Sequence, residues 1–316
     1  MPLSKRRVPK KRRRSGKRLT GLELESLFDG AVNKSYRTRA PKFLYHYTTW
    51  LGGAGIIRTQ KIWATAHDCT NDKAEVISAD RVILEVADEL RAVSRGAGRR
   101  ALDVFIRDYQ ASHVARKVPI YIASFSASRD DDHQWHRYGE ERRGLCLALR
   151  VLDEQAPDNP ALGCAMLHVQ YSEDEWKDDL RENLGLISKS LSRPEVPRTA
   201  SNVRLGVGAL NRVAAFASIS AKQLDWSPEQ EIRQVALGKF GKTVDVKHRP
   251  RGTEDVRYVE LLLRQPPALI AFSEIIIGPG CTDPNAENKV AELLKEAGYV
   301  AGMVEFPMVS RSILTS

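Results

Sequence analysis

Glu229-Gln230-Glu231-Ile232-Arg233 places two carboxylates two residues apart, where a polar segment enters the strand-like run Ile232 to Leu237. Lys222 and Trp226 stand just upstream. A carboxylate at a strand edge can accept a hydrogen bond from a ribose 2′-hydroxyl. It can also stabilise positive charge growing at an anomeric carbon, as glycosidic bond cleavage requires. Alternating charge at an exposed strand start is the plainer account of the same residues. His46-Tyr47-Thr48-Thr49 closes an aromatic run that begins at Phe43. A neutral imidazole offers one donor and one acceptor, enough to fix a ribose hydroxyl or take a proton. A structural histidine among aromatics is the bland alternative.

Ser124-Phe125-Ser126 ends a further strand-like run, and Asp130-Asp131-Asp132-His133-Gln134-Trp135-His136-Arg137-Tyr138-Gly139 follows. Trp135 and Tyr138 are three apart and share a face if helical, where they would stack on a flat ring or fill core. Three aspartates with His133 and His136 invite a metal, but the spacing defines no ligand set, and no metal is expected. Asn71-Asp72-Lys73-Ala74-Glu75 has capping-box spacing and reads as the start of a helix.

These residues need a scaffold. Its folded body is expected from about Pro41, with strands at 43–47, 62–65, 119–125, 144–151, 166–171, 232–237, 259–261 and 275–277. Helices are expected from about 50 to 60, 76 to 94, 100 to 115 and 201 to 224. A last helix is punctuated by Asp283, Pro284 and Gly298. The polar, basic stretch 238–255 reads as a loop or ribbon insertion. Strands and helices mix without regular β-α-β alternation, which favours a single α+β domain over a doubly wound one.

Of 316 residues, 49 are Lys or Arg and 40 are Asp or Glu, a formal charge of +9. Ten of the basic side chains lie between Lys5 and Arg18, and no acid stands among the first 20 residues. The remainder carries 39 basic against 40 acidic groups. Residues 1–40 therefore read as a disordered basic tail, whose Lys10, Lys11, Arg12, Arg13 and Arg14 could hold nucleic acid by displacing counterions. No run reaches the ~18 apolar residues of a membrane span, and the basic N-terminus lacks the apolar core of a secretory signal. Four widely spaced cysteines suggest neither a zinc knuckle nor a disulfide framework, so a cytoplasmic setting without membrane partners is expected.

In order, Leu44-Tyr45-His46-Tyr47-Thr48, Ile62-Trp63-Ala64-Thr65, Asn71-Asp72 with Glu75, Ser124-Phe125-Ser126, Trp135 with Tyr138, Gly144-Leu145-Cys146, Trp226 with Glu229, Glu231 and Arg233, and Ile275-Ile276-Ile277-Gly278-Pro279 resemble the bacterial family called domain of unknown function 2971. The resemblance runs from about residue 42 to the C-terminus, apart from 238–255. That family's layout is in turn similar to the ADP-ribosyltransferase superfamily. The resemblance implies a split α+β fold, with mixed or antiparallel sheets flanking a central cleft that holds NAD as substrate. It implies that His46, with Tyr47 and Thr48, meets the adenosine-side ribose. Ser124 and Ser126 would match the second motif, and Trp135 or Tyr138 would lie near the nicotinamide. Glu231 would be the catalytic glutamate and Glu229 the residue that positions an acceptor. The superfamily pairs His with a tyrosine second motif, or Arg with Ser-Thr-Ser; His46 with Ser-Phe-Ser mixes the two.

The function expected is transfer of ADP-ribose from NAD to nucleic acid or protein, in the manner of a bacterial or phage defence or toxin effector. The competing class is a non-catalytic nucleic-acid-associated or regulatory module on the same fold. A metal-dependent nuclease or hydrolase built on Asp130–Asp132 and His133 ranks behind both.

Overall fold

The computed structural model describes residues 19–36, 41–69, 73–112, 120–152, 164–237, 245–263, 270–299 and 306–314. The first element already departs from expectation. Helix α1 (Gly21–Tyr36) lies inside the segment read as a tail. Thr20 and Glu23 form a reciprocal capping box: the Glu23 N–H donates to Thr20 Oγ1 (3.2 Å) and the Thr20 N–H to Glu23 Oε2 (2.7 Å). Leu24 and Phe28, one turn apart, are fully buried. The charge density that dominates residues 1–18 hides this apolar stripe. The proposed nucleic-acid contacts Lys10, Lys11, Arg12, Arg13 and Arg14 lie outside the described residues.

Among the described residues, ten strands form one mixed sheet: β1 (Phe43–Thr48), β2 (Lys61–Ala66), β3 (Ile120–Ser126), β4 (Leu145–Val151), β5 (Cys164–His168), β6 (Glu231–Leu237), β7 (Lys247–Arg251), β8 (Glu254–Leu262), β9 (Ile270–Ile277) and β10 (Met308–Arg311). Its order is β10-β9-β4-β1-β3-β2-β8-β7, with β6 on the other edge of β3 and β5 outside β6. Every pairing is antiparallel except β9 with β10. The expected pair of separate sheets is thus one sheet that forks at β3. One edge of β3 pairs with β6 along its whole length. The opposite edge meets β2 at Tyr121 and Ile122 and β1 only at Ser126. Between those contacts β1 and β2 diverge, and the fork opens a cleft. The stretch read as an insertion is a ribbon, β7 with the start of β8; residues 238–244 lie outside the described set.

Five helices pack together on β3, β5 and β6: α1, α3 (Lys73–Val93), α4 (Gly96–Ser112), α6 (Glu173–Leu191) and α7 (Ala200–Ser218). Their core joins Leu24, Phe28, Ile83, Phe105, Leu184 and Val213 to Ile120, Ile122, Leu167 and Val235 of the strands. Sequence reading passed over α6, although its signals are ordinary ones. Ser172 caps it, three acids fill its first turn, and Trp176, Leu180, Leu184, Ile187 and Leu191 recur at helical spacing on its buried face. The candidate cap Asn71-Asp72 of α3 lies outside the described residues. A second core sets α2 (Trp50–Thr59) and α8 (Ala286–Glu296) against Leu44, Leu147, Leu149, Ile275 and Ile277. Past α8, Gly298 takes the expected left-handed conformation (φ 88°), whereas the helix starts at Ala286 with Asn285 at its N-cap, two residues later than Asp283 and Pro284 suggest.

The remaining helix, α5 (Asp132–Arg137), begins from Asp131, whose side chain caps it. After it, Glu140, Glu141 and Arg142 all have φ between 49° and 74°, a left-handed turn that L-residues resist. It is held by the Arg142 N–H donating to Trp135 O and the Gly144 N–H to Gly139 O. Glu140 in turn accepts from the Trp50 N–H at the start of α2. No helix is long and apolar enough to cross a membrane among the described residues.

Candidate active site

The fork encloses a cleft of about 1020 Å³, lined by the end of β1, by α2, β2 and β3, and by the Lys222–Arg233 segment. Thr49 follows β1 directly and caps α2, its Oγ1 accepting from the Gly52 N–H. This brings His46, Tyr47 and Thr48 to one wall. On the unpaired edge of β3, the Ser124 carbonyl oxygen lies 3.0 Å from His46 Nδ1. A carbonyl only accepts, so Nδ1 carries the proton, and in the neutral ring Nε2 is the acceptor. Burial lowers the His46 pKa, against the opposing pull of the Ser124 hydrogen bond, so the ring is neutral at pH 7.

The two glutamates frame the opposite wall. Gln230, between them, sits at φ 42°, and this turn presents both carboxylates on the same side of the cleft. Arg233 grips Glu231 with a fork, Nε to Oε1 at 2.8 Å and Nη2 to Oε2 at 2.9 Å, while its Nη1 donates to Ile219 O. Lys222 bridges the pair, 2.5 Å from Glu229 Oε2 and 3.1 Å from Glu231 Oε2. Burial pushes the Glu231 carboxyl up, but Arg233, Lys222 and a hydrogen bond from Ser124 outweigh it and hold the group at about 2. Glu231 is 7% exposed and ionised at neutral pH. Tyr138 donates to Glu229 Oε1 at 2.7 Å, and burial, with this bond to a carboxylate, pushes its phenol up to about 12. Arg137 lies 3.4 Å from Glu229 Oε1 and stacks over Trp226, 3.8 Å from the ring centre.

His46 and Glu231, 185 positions apart, therefore line one cleft, as do Tyr47, Thr48, Ser124, Tyr138 and Glu229. Ser126 also borders it, but its hydroxyl is buried and committed, donating to Glu229 O and accepting from the Ser128 N–H. It anchors the glutamate backbone and does not offer a ligand contact. Tyr47 is mostly buried, its hydroxyl donating to Ser128 O and accepting from the Asp131 N–H. Trp135 departs from expectation altogether. It is fully buried edge-on against Tyr47, with its Nε1–H on Asp130, in the core under the site.

The aspartate run diverges. Asp130 holds Trp135, Ser312 and the Ile313 N–H; Asp131 caps α5; Asp132 pairs with Arg142. Among the described residues no three His, Cys, Asp or Glu side chains converge as a metal would need. Sequence reasoning missed Arg137 and Tyr171, the latter taking the Glu231 N–H at 2.8 Å. Both meet the glutamates from other elements, so no local spacing announces them. It also missed the far wall, where Trp63 of β2 faces Arg249 and Arg251 of β7.

Among the described residues, six cationic side chains (Lys61, Arg137, Lys222, Arg233, Arg249 and Arg251) and two carboxylates line the cleft, a balance suited to an anionic ligand. No family model, no curated protein and no solved structure matches the chain.

Proposed function

We propose that the cleft takes NAD and that the chain transfers ADP-ribose to a macromolecule in the manner of the ADP-ribosyltransferases. The observation that carries this reading is the meeting of His46 and Glu231 in one cleft with an excess of positive charge. Bound NAD supplies an activated N-glycosidic bond, whose electron pair leaves with nicotinamide as the acceptor's lone pair replaces it and the acceptor gives up a proton. Glu231, kept ionised by Arg233 and Lys222, accepts a ribose hydroxyl and opposes positive charge at the anomeric carbon. Ser124, on the exposed position of β3, orients that carboxylate. His46, neutral and fixed through Nδ1, presents Nε2 as an acceptor for the second ribose. Lys222 and Arg137 bring positive charge toward the diphosphate.

The test is nicotinamide release from NAD by the full chain. Glu231→Gln should lower it by about 10²–10³-fold, the usual cost of removing one preorganised electrostatic group, with NAD affinity by calorimetry changed only a few-fold. Retained turnover in that variant discards the reading. One observation favours a non-catalytic module instead: both Glu231 oxygens are already engaged by Arg233. No nicotinamide release by the wild-type chain, with NAD still bound, would decide for it.

A further inference from the structure

We infer that the β2–β8–β7 wall of the cleft docks single-stranded nucleic acid, with a base stacked on Trp63 and the backbone phosphates along β7. Trp63 is a large aromatic left 46% exposed on a strand. It is not loose: Tyr258 backs it at 4.6 Å between ring centres and Arg249 lies 5.2 Å from its centroid. An indole held in place and still 46% exposed is a stacking platform, and stacking accepts any base.

The charge beside it is patterned. Lys247, Arg249 and Arg251 occupy alternate positions of β7 and so share one face, at steps of about 6.6 Å. Lys247 pairs with Glu260 and Arg251 with Glu254. Arg249 Nε is buried with no hydrogen-bond partner among the described residues, an unmet donor at the foot of the platform. β7 is last in the strand order, and among the described strands it pairs with β8 alone.

This wall borders the same cleft, on the side away from the His46–Ser124 contact. In the order β3-β2-β8-β7, the arginine row lies three strands away, about 14 Å by backbone spacing. A duplex would offer it phosphates but no free base face, so a single strand fits better. The role of that strand as acceptor rests on the ADP-ribosyl reading; its binding does not.

The test measures anisotropy of a labelled 20-nucleotide single strand and of the matching duplex on the full chain, without NAD. The basic N-terminal residues are the same in every variant, so a loss confined to the single strand isolates the platform. Wild type should prefer the single strand. Trp63→Ala should weaken single-strand binding at least about fivefold with the duplex unchanged, and Trp63→Phe should restore most of it. Arg249→Gln, which leaves the aromatic pair in place, should weaken the single strand and lower its salt slope by about 0.7. Equal loss for both nucleic acids, or no loss, overturns the proposal. So does weakened NAD binding with intact single-strand binding, which would make the platform part of the dinucleotide site. Nucleic acid is absent from the nicotinamide assay and NAD from this one, so the two readings fail separately.

Discussion

His46 Nδ1–H donates to the Ser124 carbonyl oxygen at 3.0 Å, joining β1 to the stretch of β3 whose cleft-side edge the fork leaves without a ladder partner. The bond fixes the tautomer of the ring and spans the mouth of the fork. His46→Asn keeps a donor near the Nδ1 position but removes the titrating ring. The wild-type imidazole should titrate below the ordinary ~6.5 by NMR. The sign for stability follows: both states are neutral above that value, and below it the unfolded chain gains a proton that the folded ring resists. Stability is lost as pH falls from about 6.5 and levels off once the folded ring protonates. In His46→Asn the decline of Tm between pH 7 and 5 should be shallower; an equal slope refutes the lowered His46 pKa.

Arg233 is the group that keeps Glu231 ionised. Arg233→Met leaves a buried carboxylate with Lys222, and urea unfolding should report a loss of about 3–5 kcal/mol at pH 7. Because the Glu231 carboxyl lies near 2 when folded and near 4.5 otherwise, its contribution is complete above about 4.5 and disappears as pH falls toward 2. The stability gap between wild type and variant should narrow over that window. A gap independent of pH would place the cost elsewhere than in this ion pair.

Helix α1 belongs to the folded body. Phe28→Ala should cost about 3–5 kcal/mol, as for other fully buried aromatics, measured by denaturant midpoint at unchanged slope. A change below 1 kcal/mol would detach α1 from the core.

Helices α4 and α6 approach closely at Gly98. A Cβ there would meet the Ser188 carbonyl oxygen and the Ser192 hydroxyl. Gly98→Ala gains helix propensity of up to ~1 kcal/mol, yet the clash is with backbone and should dominate, for a net loss of about 1–3 kcal/mol. A stabilised Gly98→Ala would show that the helices move apart freely.

Local pattern carried much of the scaffold. Alternating or continuous apolar runs announced β3, β4, β6 and β9, and helical spacing announced α3, α4 and α7, because burial of one face leaves its period in the sequence. The candidate residues His46, Ser124 and Glu231 were also readable, since each is a polar residue in the C-terminal half or at the start of a strand. The errors share a cause. Charge averaged over residues 1–40 hid the stripe of Leu24 and Phe28, and the spacing of Trp135 from Tyr138 could not say that one faces core and the other the cleft.

The sequence by itself determined an α+β chain with a basic N-terminal segment and a short set of polar residues at strand ends. Tertiary structure alone decided that β1 and β2 part at β3 in one forked sheet. It alone decided that Glu231 meets Arg233 and Lys222, and that Trp63 faces Arg249 across 186 positions. The physical reason is range: periodicity records which side of an element is buried, whereas a carboxylate's charge and an indole's exposure depend on neighbours that only strand order and helix packing bring near.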